Sequence, residues 1–463
     1  MTDFAPLLAP DRGQPACSIH LVDKASFDGW AKRQPAARRA LLEAMRFDGK
    51  TPHQFALLPG DGGHDAVATV AAVGELSPWC LARLGEQLPA GTYRLAEGSP
   101  GIAALGWMLG QHRFERYKSA PGPDRGPRIL LTDEPAGIDR LIRLAEATTL
   151  VRDLVDTPAS DMGPADLEAA ARALAKKFGA KVEVTHGDAL DTGFPMIAAV
   201  GRGASRDRAP RLIELIWGRD DAPRVAVIGK GVCFDSGGLD IKSAGGMRLM
   251  KKDMGGAAHA LALARLVMAE RLPVRLHLLI PAVENSVSAT AFRPGDVIAS
   301  RLGLQVEIDN TDAEGRLVLG DALTRAGEES PELIFDFATL TGAARVALGP
   351  DLPALFVNDE TLAADLLASA GAVTDPLWRM PLWDGYDEML KSDVADLSNA
   401  ADSPMAGAIT AALFLRRFVP EGAAWAHFDT FAWRPAAKAG RPKGGEAMGL
   451  RAAFAMLHAR FAA

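Results

Sequence analysis

Asp312 and Glu314 lie two positions apart in a segment that also contains Gly315 and Arg316. In an extended or turning backbone both carboxylates can point to the same side, and a glycine lets the chain approach closely or take a positive φ. This arrangement suits the binding of metal ions. The segment from 307 to 317 is therefore the predicted centre of the chemistry.

A second set of candidate ligands lies upstream. It begins at Lys230, continues with Asp235 and ends at Asp253. A single loop carboxylate is most often a solvated surface group. Four carboxylates converging at one place would, however, repel one another strongly unless cations were present. Two divalent ions would balance the four negative charges, and a hydroxide can be held between such ions at neutral pH.

Lys230 can be interpreted in two ways. Its spacing alone favours an ion pair with Asp235. Beside two divalent cations, however, the like charges disfavour the ammonium, and the neutral amine can then bind metal as a nitrogen donor. The residues by themselves leave both interpretations open.

The candidate ligands adjoin regular elements that must position them. The hydrophobic pattern predicts strands at 225–229 and 304–306 and helices at 254–264 and 317–323. Lys230 follows the first strand directly, Asp253 lies at the entrance of the first helix, and Asp312 lies between the second strand and the second helix. Ligand sites of α/β sheets form at such strand-to-helix crossings.

The remaining pattern predicts an α/β protein with two domains. Further predicted elements are a strand at 67–73, a helix at 101–110, a strand at 128–131, a helix at 138–155, a helix at 165–178, and strands at 181–185, 211–217, 277–283 and 333–337. We predict a small N-terminal α/β domain at 1–135, a linker helix at 136–157 and a larger C-terminal catalytic domain at 158–463. Alternating helices and strands predict that the larger domain has a central, mostly parallel sheet covered by helices on both faces.

Composition excludes several classes of function. The 463 residues are 48% hydrophobic and carry a formal net charge of −7, which disfavours general nucleic-acid binding. The three cysteines have no paired spacing, so a disulfide framework is not expected and a reducing compartment is favoured. The N-terminal residues lack the features of a signal peptide, and no stretch approaches a membrane span. A cytoplasmic protein is therefore predicted.

Several segments together closely resemble the leucyl (cytosol) aminopeptidase family of two-metal exopeptidases. The segments that carry the resemblance are 229–238, 253–258, 310–317, 336–343, 394–399, 409–415 and 425–427. The motif around Asp312 is highly specific. The resemblance covers roughly residues 150 to 463 and is weak over the first part of the chain.

The resemblance implies roles for particular residues. The implied metal ligands are Lys230, Asp235, Asp253, Asp312 and Glu314. With the resemblance, ligation by Lys230 is favoured over the ion pair. Lys242 is expected to polarise the scissile carbonyl, and Arg316 is expected to hold a bicarbonate that passes a proton from the nucleophilic water to the leaving amine. Two divalent ions per subunit are implied, Mn or Zn, with Mg or Co as further possibilities.

The resemblance also implies a substrate and an assembly. The expected substrates are peptides with a free N-terminus and an apolar first residue such as leucine, and the expected assembly is a homohexamer. Met250 resembles the apolar pocket residue of the family, with Ala447 and Met448 as looser candidates. Thr339, Leu340 and Gly342 resemble the loop that holds the substrate. The segment 440–450 departs from the family pattern, which leaves the pocket shape and the residue preference open.

Two rival functions and two simpler side-chain roles remain. Paired metal ions also clamp phosphoryl oxygens, so a two-metal phosphoesterase is one rival. A binding protein built on a peptidase scaffold, for example for DNA, is the other. His259 is expected to be a packed helix histidine, and Cys233 is expected to be a small apolar residue beside a strand.

Overall fold

The structure is a computed structural model that describes residues 2–60, 63–120, 122 and 125–462. Its internal contacts divide the chain into two compact units. The first unit is Met1–Thr149 with Ala436–Lys443, and the second is Leu150–Pro435 with Gly444–Ala463. The chain passes from one unit to the other within a single helix, α5 (Ile138–Asp156). The helix predicted at 138–155 is confirmed to within one residue, while the predicted domain boundaries stay a prediction.

The first unit is built on a six-stranded sheet. Its strands are β1 (Leu8–Pro10), β2 (Cys17–Val22), β3 (Phe55–Gly60), β4 (Gly63–Thr69), β5 (Gly91–Leu95) and β6 (Arg128–Thr132). The sheet order is β1-β6-β5-β2-β4-β3, and only β3 and β4 pair in the antiparallel sense. The strand predicted at 67–73 begins earlier and ends at Thr69, because the chain turns away from the sheet after that residue.

Short helices accompany this sheet. They are α1 (Phe27–Lys32), α2 (Ala36–Ala44), α3 (Ala82–Gln87) and α4 (Ala103–Leu109), with single 3-10 turns at Ala5–Leu7 and Pro135–Gly137. Every residue of α4 is buried, as the continuous apolar run at 101–110 predicts.

The second unit contains the larger sheet. The strands of this second unit are β7 (Lys181–His186), β8 (Arg211–Trp217), β9 (Arg224–Gly229), β10 (Gly231–Asp235), β11 (Arg275–Asn285), β12 (Val297–Ala299), β13 (Gln305–Glu307), β14 (Leu333–Ala338), β15 (Ala354–Val357), β16 (Trp378–Arg379), β17 (Leu397–Ser398), β18 (Ala424–Asp429), β19 (Trp433–Arg434) and β20 (Gly444–Gly445). Nine of these form one sheet in the order β16-β15-β18-β14-β9-β11-β8-β7, with β10 beside β11. The central strands β18, β14, β9 and β11 are parallel to one another, and β15, β8 and β7 add antiparallel pairs toward the edges. The predicted mostly parallel sheet is therefore confirmed.

Helices cover both faces of this sheet. They are α6 (Pro164–Phe178), α7 (Asp188–Gly193), α8 (Pro195–Gly201), α9 (Ala244–Met247), α10 (Gly255–Ala269), α11 (Glu314–Gly327), α12 (Gly342–Leu348), α13 (Glu360–Ala372), α14 (Gly407–Arg416) and α15 (Leu450–Phe461), with 3-10 helices at Arg206–Arg208, Met250–Met254 and Asp384–Leu390. Side chains of α8, α11 and α14 belong to one buried hydrophobic cluster with Ala226 and Ile228 of β9. Helix α10 lies against the other face, where an added Cβ at Gly229 would lie 2.6 Å from the Ala257 Cα.

The sheet supports the start of helix α10 directly. Gly256 is necessary there, because a Cβ at this position would lie 2.1 Å from the Phe337 carbonyl oxygen. The Lys230 carbonyl accepts a hydrogen bond from the Ala257 N–H at 2.9 Å, and the Lys230 N–H donates to the Phe337 carbonyl at 2.9 Å. These contacts fix the backbone of Lys230 between β14 and the first turn of α10. Among the described residues, no helix is both long and apolar enough to cross a bilayer.

Candidate active site

The predicted metal-binding side chains come together at the carboxyl edge of the second unit's sheet. Lys230 follows β9, and its Nζ lies 2.7 Å from Asp253 Oδ2 and 2.8 Å from Glu314 Oε1. Lys242 Nζ lies 2.7 Å from Asp235 Oδ2 and also contacts Asp312 Oδ1. Parallel strands end together at such an edge, which is where ligand sites of open α/β sheets form.

Local structure explains how the carboxylates reach this edge. Asp235 is the last residue of β10, and Asp253 belongs to the 3-10 helix that leads into α10. Glu314 is the first residue of α11, which begins three residues earlier than the hydrophobic pattern alone predicts. A carboxylate is favourable at this position because the N-terminus of a helix carries a partial positive charge.

Three of the carboxylates form a compact acidic cluster. One oxygen from each of Asp235, Asp312 and Glu314 lies within 4.8 Å of the others. Burial and the negative charge of Asp235 raise the pKa of Asp312 to about 6 and that of Glu314 to about 8. The ionised cluster is therefore costly without a cation, and positive charge placed among these oxygens would stabilise it.

The cluster fits divalent metal ions. The Glu314 side chain is buried, and its Oε2 has no hydrogen-bond partner among the residues that the structure describes. A buried carboxylate oxygen without a partner is expensive unless a ligand satisfies it. Carboxylate oxygens of this kind are the donors that hard divalent cations take.

The ion-pair partners of the two lysines differ from those that the sequence spacing alone favours. Spacing favoured a pair between Lys230 and Asp235, but the ammonium in contact with Asp235 is that of Lys242. Burial lowers the pKa of Lys230, but the charges of Asp253 and Glu314 outweigh burial and raise it above its ordinary value. The same balance, with Asp235 as the largest charge, raises the pKa of Lys242.

Asp253 is held by three side chains. Besides Lys230, its carboxylate contacts Thr339 Oγ1 at 2.7 Å and Lys252 Nζ at 3.4 Å. Burial raises the pKa of Asp253, but the charges of Lys230 and Lys252 outweigh burial and lower it to about 2. Thr339 therefore orients Asp253, a role that the sequence did not indicate.

Gly315 allows Lys230 to enter the cluster. A Cβ at this glycine would lie 2.7 Å from both Cε and Nζ of Lys230. Contacts this short are not found for real side chains, so any other residue would displace the amine or the start of α11. The spacing Asp312, Glu314, Gly315 is therefore a requirement of packing as well as of charge.

Two asparagines that were not identified from the sequence contact Asp235 and the segment that precedes Asp312. Asn285, the last residue of β11, donates from Nδ2 to Asp235 Oδ1 at 2.9 Å and to the Thr311 carbonyl at 3.0 Å. Asn399 accepts from the Asp309 and Asn310 N–H groups at 2.9 and 3.1 Å. The only available signal for Asn399 was its place in the family-like segment 394–399, and Asn285 carried none.

Arg316 is a buried cation two residues after Glu314. It is buried in the first turn of α11, and its Nε and Nη1 have no hydrogen-bond partner within the described residues. Burial lowers the pKa of Arg316 to about 10, although the charges of Glu314 and Asp429 raise it. A buried guanidinium with unused N–H groups is suited to an anion.

A cavity of about 440 Å³ opens onto the cluster. All four residues predicted to bind substrate line it, namely Met250, Thr339, Leu340 and Gly342. Lys252, Arg345 and Phe431 also line it, and the sequence did not indicate them. This volume lies in the range of small-molecule sites.

The looser pocket candidates have other positions. Ala447 and Met448 are buried, and neither belongs to the described residues that line the cavity. The Met448 N–H donates to His259 Nε2 at 3.0 Å, so His259 Nδ1 carries the proton and donates to the Gly255 carbonyl at 2.7 Å. His259 is thus a packed helix histidine, as predicted, and Cys233 is fully buried in β10, also as predicted.

Comparison with known proteins agrees with this geometry. Residues 149–454 match the model of the cytosol aminopeptidase family catalytic domain, and residues 17–124 match that of the M17 aminopeptidase N-terminal domain. The family therefore extends into the first unit, where the sequence motifs were weak.

Individual relatives support the same assignment. The probable cytosol aminopeptidase of Syntrophotalea carbinolica is 41% identical over 366 residues, which are 76% of this chain and 73% of that protein. The crystal structure of the Coxiella burnetii cytosol aminopeptidase superposes with a TM-score of 0.92 at 45% identity, over 98% of this chain and 99% of the other. The bottromycin maturation enzyme BotP in complex with Mn superposes with a TM-score of 0.85 at 33% identity, over 96% and 100%. The chain belongs to the cytosol aminopeptidase family of M17 peptidases, and it is a metal-dependent hydrolase of the aminopeptidase type.

Proposed function

We propose that the protein removes the first residue from peptides with a free N-terminus, preferring apolar residues such as leucine, with two divalent ions at the acidic cluster. The observation that carries this proposal is the convergence of Asp235, Asp312 and Glu314 at the wall of a cavity, where one buried Glu314 oxygen has no partner among the described residues. The proposed ligands are Lys230, Asp235, Asp253, Asp312 and Glu314. When bound, the two ions supply a Lewis acid for the peptide carbonyl and a shared, activated water as the nucleophile.

The chain's own residues supply the rest of the chemistry. Lys242 lines the cavity and stays cationic beside Asp235, so its ammonium can stabilise negative charge that develops on the carbonyl oxygen. Lys230 would hold a metal ion as a neutral amine, the form that two nearby dications would favour over the ammonium. Arg316, whose Nε and Nη1 have no partner among the described residues, would hold a bicarbonate, which would supply a proton carrier for the leaving amine.

The cavity walls suit an apolar first residue. Met250, Leu340 and Phe431 give it an apolar surface, and a methionine adapts to side chains of different shape. Thr339 lies on the loop that follows β14, and Gly342 is the first residue of α12, so backbone groups of this segment can hold the peptide. A metal ion held at the acidic cluster would bind the free α-amine, which would restrict cleavage to the N-terminal residue.

The proposed metals are Mn or Zn, with Mg or Co as alternatives. Ligation by oxygens and one lysine nitrogen does not select sharply among these ions, and the Mn complex of BotP favours Mn. We further propose a cytoplasmic homohexamer, on the basis of the family and of the name of the relatives. Sedimentation equilibrium tests the assembly.

Loss and recovery of activity on metal exchange test the proposal. Chelation should abolish hydrolysis of leucyl anilide, and Mn or Zn should restore it. An N-acetylated leucyl substrate should not be cleaved, because the acetylated nitrogen cannot bind metal. Full activity in protein verified to be metal-free would refute the scheme, and turnover of a phosphodiester without turnover of leucyl anilide would favour a phosphoesterase.

A further inference from the structure

Two cationic side chains lie near the same aromatic ring in the wall of the active-site cavity. Lys252 Nζ lies 5.6 Å from the centroid of the Phe431 ring, and Arg345 Cζ lies 5.0 Å from the same centroid. All three residues line the cavity. We call them the cationic wall. Its two positive charges are not needed to bind a leucine side chain.

The cationic wall adjoins the positions proposed to contact the first residue of the substrate. Lys252 follows Met250 by two residues on the same 3-10 helix. Arg345 lies one turn into α12, and its Nη2 is 3.9 Å from the position that a Cβ on Gly342 would occupy. A side chain packed against Met250 and Phe431 therefore has its end close to both cations.

The described residues do not fill the hydrogen-bonding capacity of either cation. The Lys252 side chain is buried, and its contact with Asp253 Oδ1 is 3.4 Å long. Strong charge-assisted bonds are shorter, about 2.7–2.9 Å, and an ammonium has three donors. Within the part of the chain that the structure describes, the Arg345 guanidinium contacts no carboxylate. Both groups can therefore donate to an incoming anion.

We infer that the cationic wall makes the enzyme accept peptides whose first residue is acidic, glutamate in particular. The inference rests on the proposed aminopeptidase function and extends its range of substrates. The two methylenes of glutamate pack on Met250 and Phe431, while its carboxylate receives hydrogen bonds from Lys252 and Arg345. Aspartate is one methylene shorter and reaches the cations less well. Leucine uses the apolar part of the same wall alone.

Glutamine is the appropriate comparison, because it has the shape of glutamate without the charge. One hydrogen bond to a charged group changes an equilibrium or rate by about tenfold to a hundredfold. We expect the Mn-loaded full-length protein to have a kcat/KM for glutamyl anilide about tenfold or more above that for glutaminyl anilide. The ratio is measured within each protein, so a general loss of activity cancels.

Three variants test which side chains produce the preference for glutamyl over glutaminyl anilide. Arg345→Gln and Lys252→Gln should each lower the glutamyl-to-glutaminyl ratio by about tenfold. Lys251→Gln is the matched control, since it removes the same charge one residue away. The Lys251 side chain donates to the Asp156 carbonyl at 2.5 Å and does not belong to the described cavity lining. Its ratio should equal that of the wild type.

The outcomes separate this inference from the proposed function. Hydrolysis of leucyl anilide with no preference for glutamyl over glutaminyl anilide would overturn the inference and leave the aminopeptidase intact. A preference that survives both Arg345→Gln and Lys252→Gln would also overturn it. Failure of the Mn-loaded wild type to hydrolyse any of the three anilides would instead refute the proposed function.

Discussion

Replacing Gly315 by alanine tests whether the position of Lys230 controls the active site. The new Cβ would lie 2.7 Å from Cε and Nζ of Lys230. Ordinary carbon contacts are about 3.5–4.0 Å, so the amine must move by about 1 Å. It cannot move freely, because Asp253 and Glu314 hold Nζ at 2.7 and 2.8 Å. A misplacement of about 1 Å at a reacting centre lowers kcat/KM by about a hundredfold.

The same substitution should change stability much less. Overpacking costs about 1–3 kcal/mol, and replacing glycine by alanine within a helix returns up to about 1 kcal/mol. We therefore expect the free energy of unfolding to fall by no more than about 3 kcal/mol, while kcat/KM falls by about two orders of magnitude. The assay compares kcat/KM for leucyl anilide, bound Mn per chain and urea unfolding between the variant and the wild type.

Gly371→Ala is the matched control for this experiment. Gly371 lies in α13, is exposed, and has no atom within 4 Å of the position that a Cβ would take. It should leave kcat/KM and metal content unchanged. If Gly315→Ala keeps wild-type kcat/KM and full Mn content in a folded protein, then the close approach of Lys230 does not matter to the site and the reasoning fails.

Three further predictions address the ligand set, the core and the pH dependence. Lys230→Arg should lose one metal ion per folded chain, because a guanidinium cannot deprotonate, and two bound ions with normal turnover would remove Lys230 from the ligand set. Arg152 and Glu446 form a buried pair with three hydrogen bonds of 3.0–3.2 Å, so Glu446→Gln should lower the urea-measured free energy of unfolding by about 3–5 kcal/mol. A loss below 1 kcal/mol, on the order of an exposed pair, would contradict this. Burial lowers the pKa of His427, but Asp336, 2.5 Å away, outweighs burial and raises it above 6.5. The pair of His427 and Asp336 therefore stabilises the fold fully below pH 6.5, and this stabilisation is lost as pH rises through the pKa of His427 in the folded protein. Asp336→Asn should therefore lower the free energy of unfolding more at pH 6 than at pH 9. An equal loss of unfolding free energy at both pH values would contradict this prediction.

The sequence predicts the sheet and the clustering of acidic residues because both depend on local patterns. Strand β8 has the predicted bounds, since its apolar residues lie on both sides of Glu214 in a strand whose four residues from Leu212 to Leu215 are buried. The acidic residues could be grouped because each adjoins a strand or helix end, and parallel strands bring such ends to one edge. Their assignment as metal ligands remains a proposal.

Contacts between distant residues could not be predicted in the same way. Asn285 reaches Asp235 across 50 positions, and Asn399 reaches Asp309 across 90. An isolated asparagine gives no periodic signal, so nothing in the sequence links it to a partner. The position of Lys252 in the cavity wall could not be predicted for a related reason, because a lysine beside another lysine usually belongs to a solvated surface. Only the tertiary structure buries it.

The segment Ala436–Lys443 returns from the end of the chain to the first unit. There the Gly440 N–H donates to Glu86 Oε1 at 2.6 Å, and the Arg441 guanidinium lies 4.5 Å from the Trp79 ring centroid. During synthesis on the ribosome, the packing of residues 1–149 therefore cannot be completed until nearly the whole polypeptide has emerged. A fragment cut after residue 149 lacks these contacts. Gene fusions or exchanges that treat the N-terminal part as a separable module must carry this segment along.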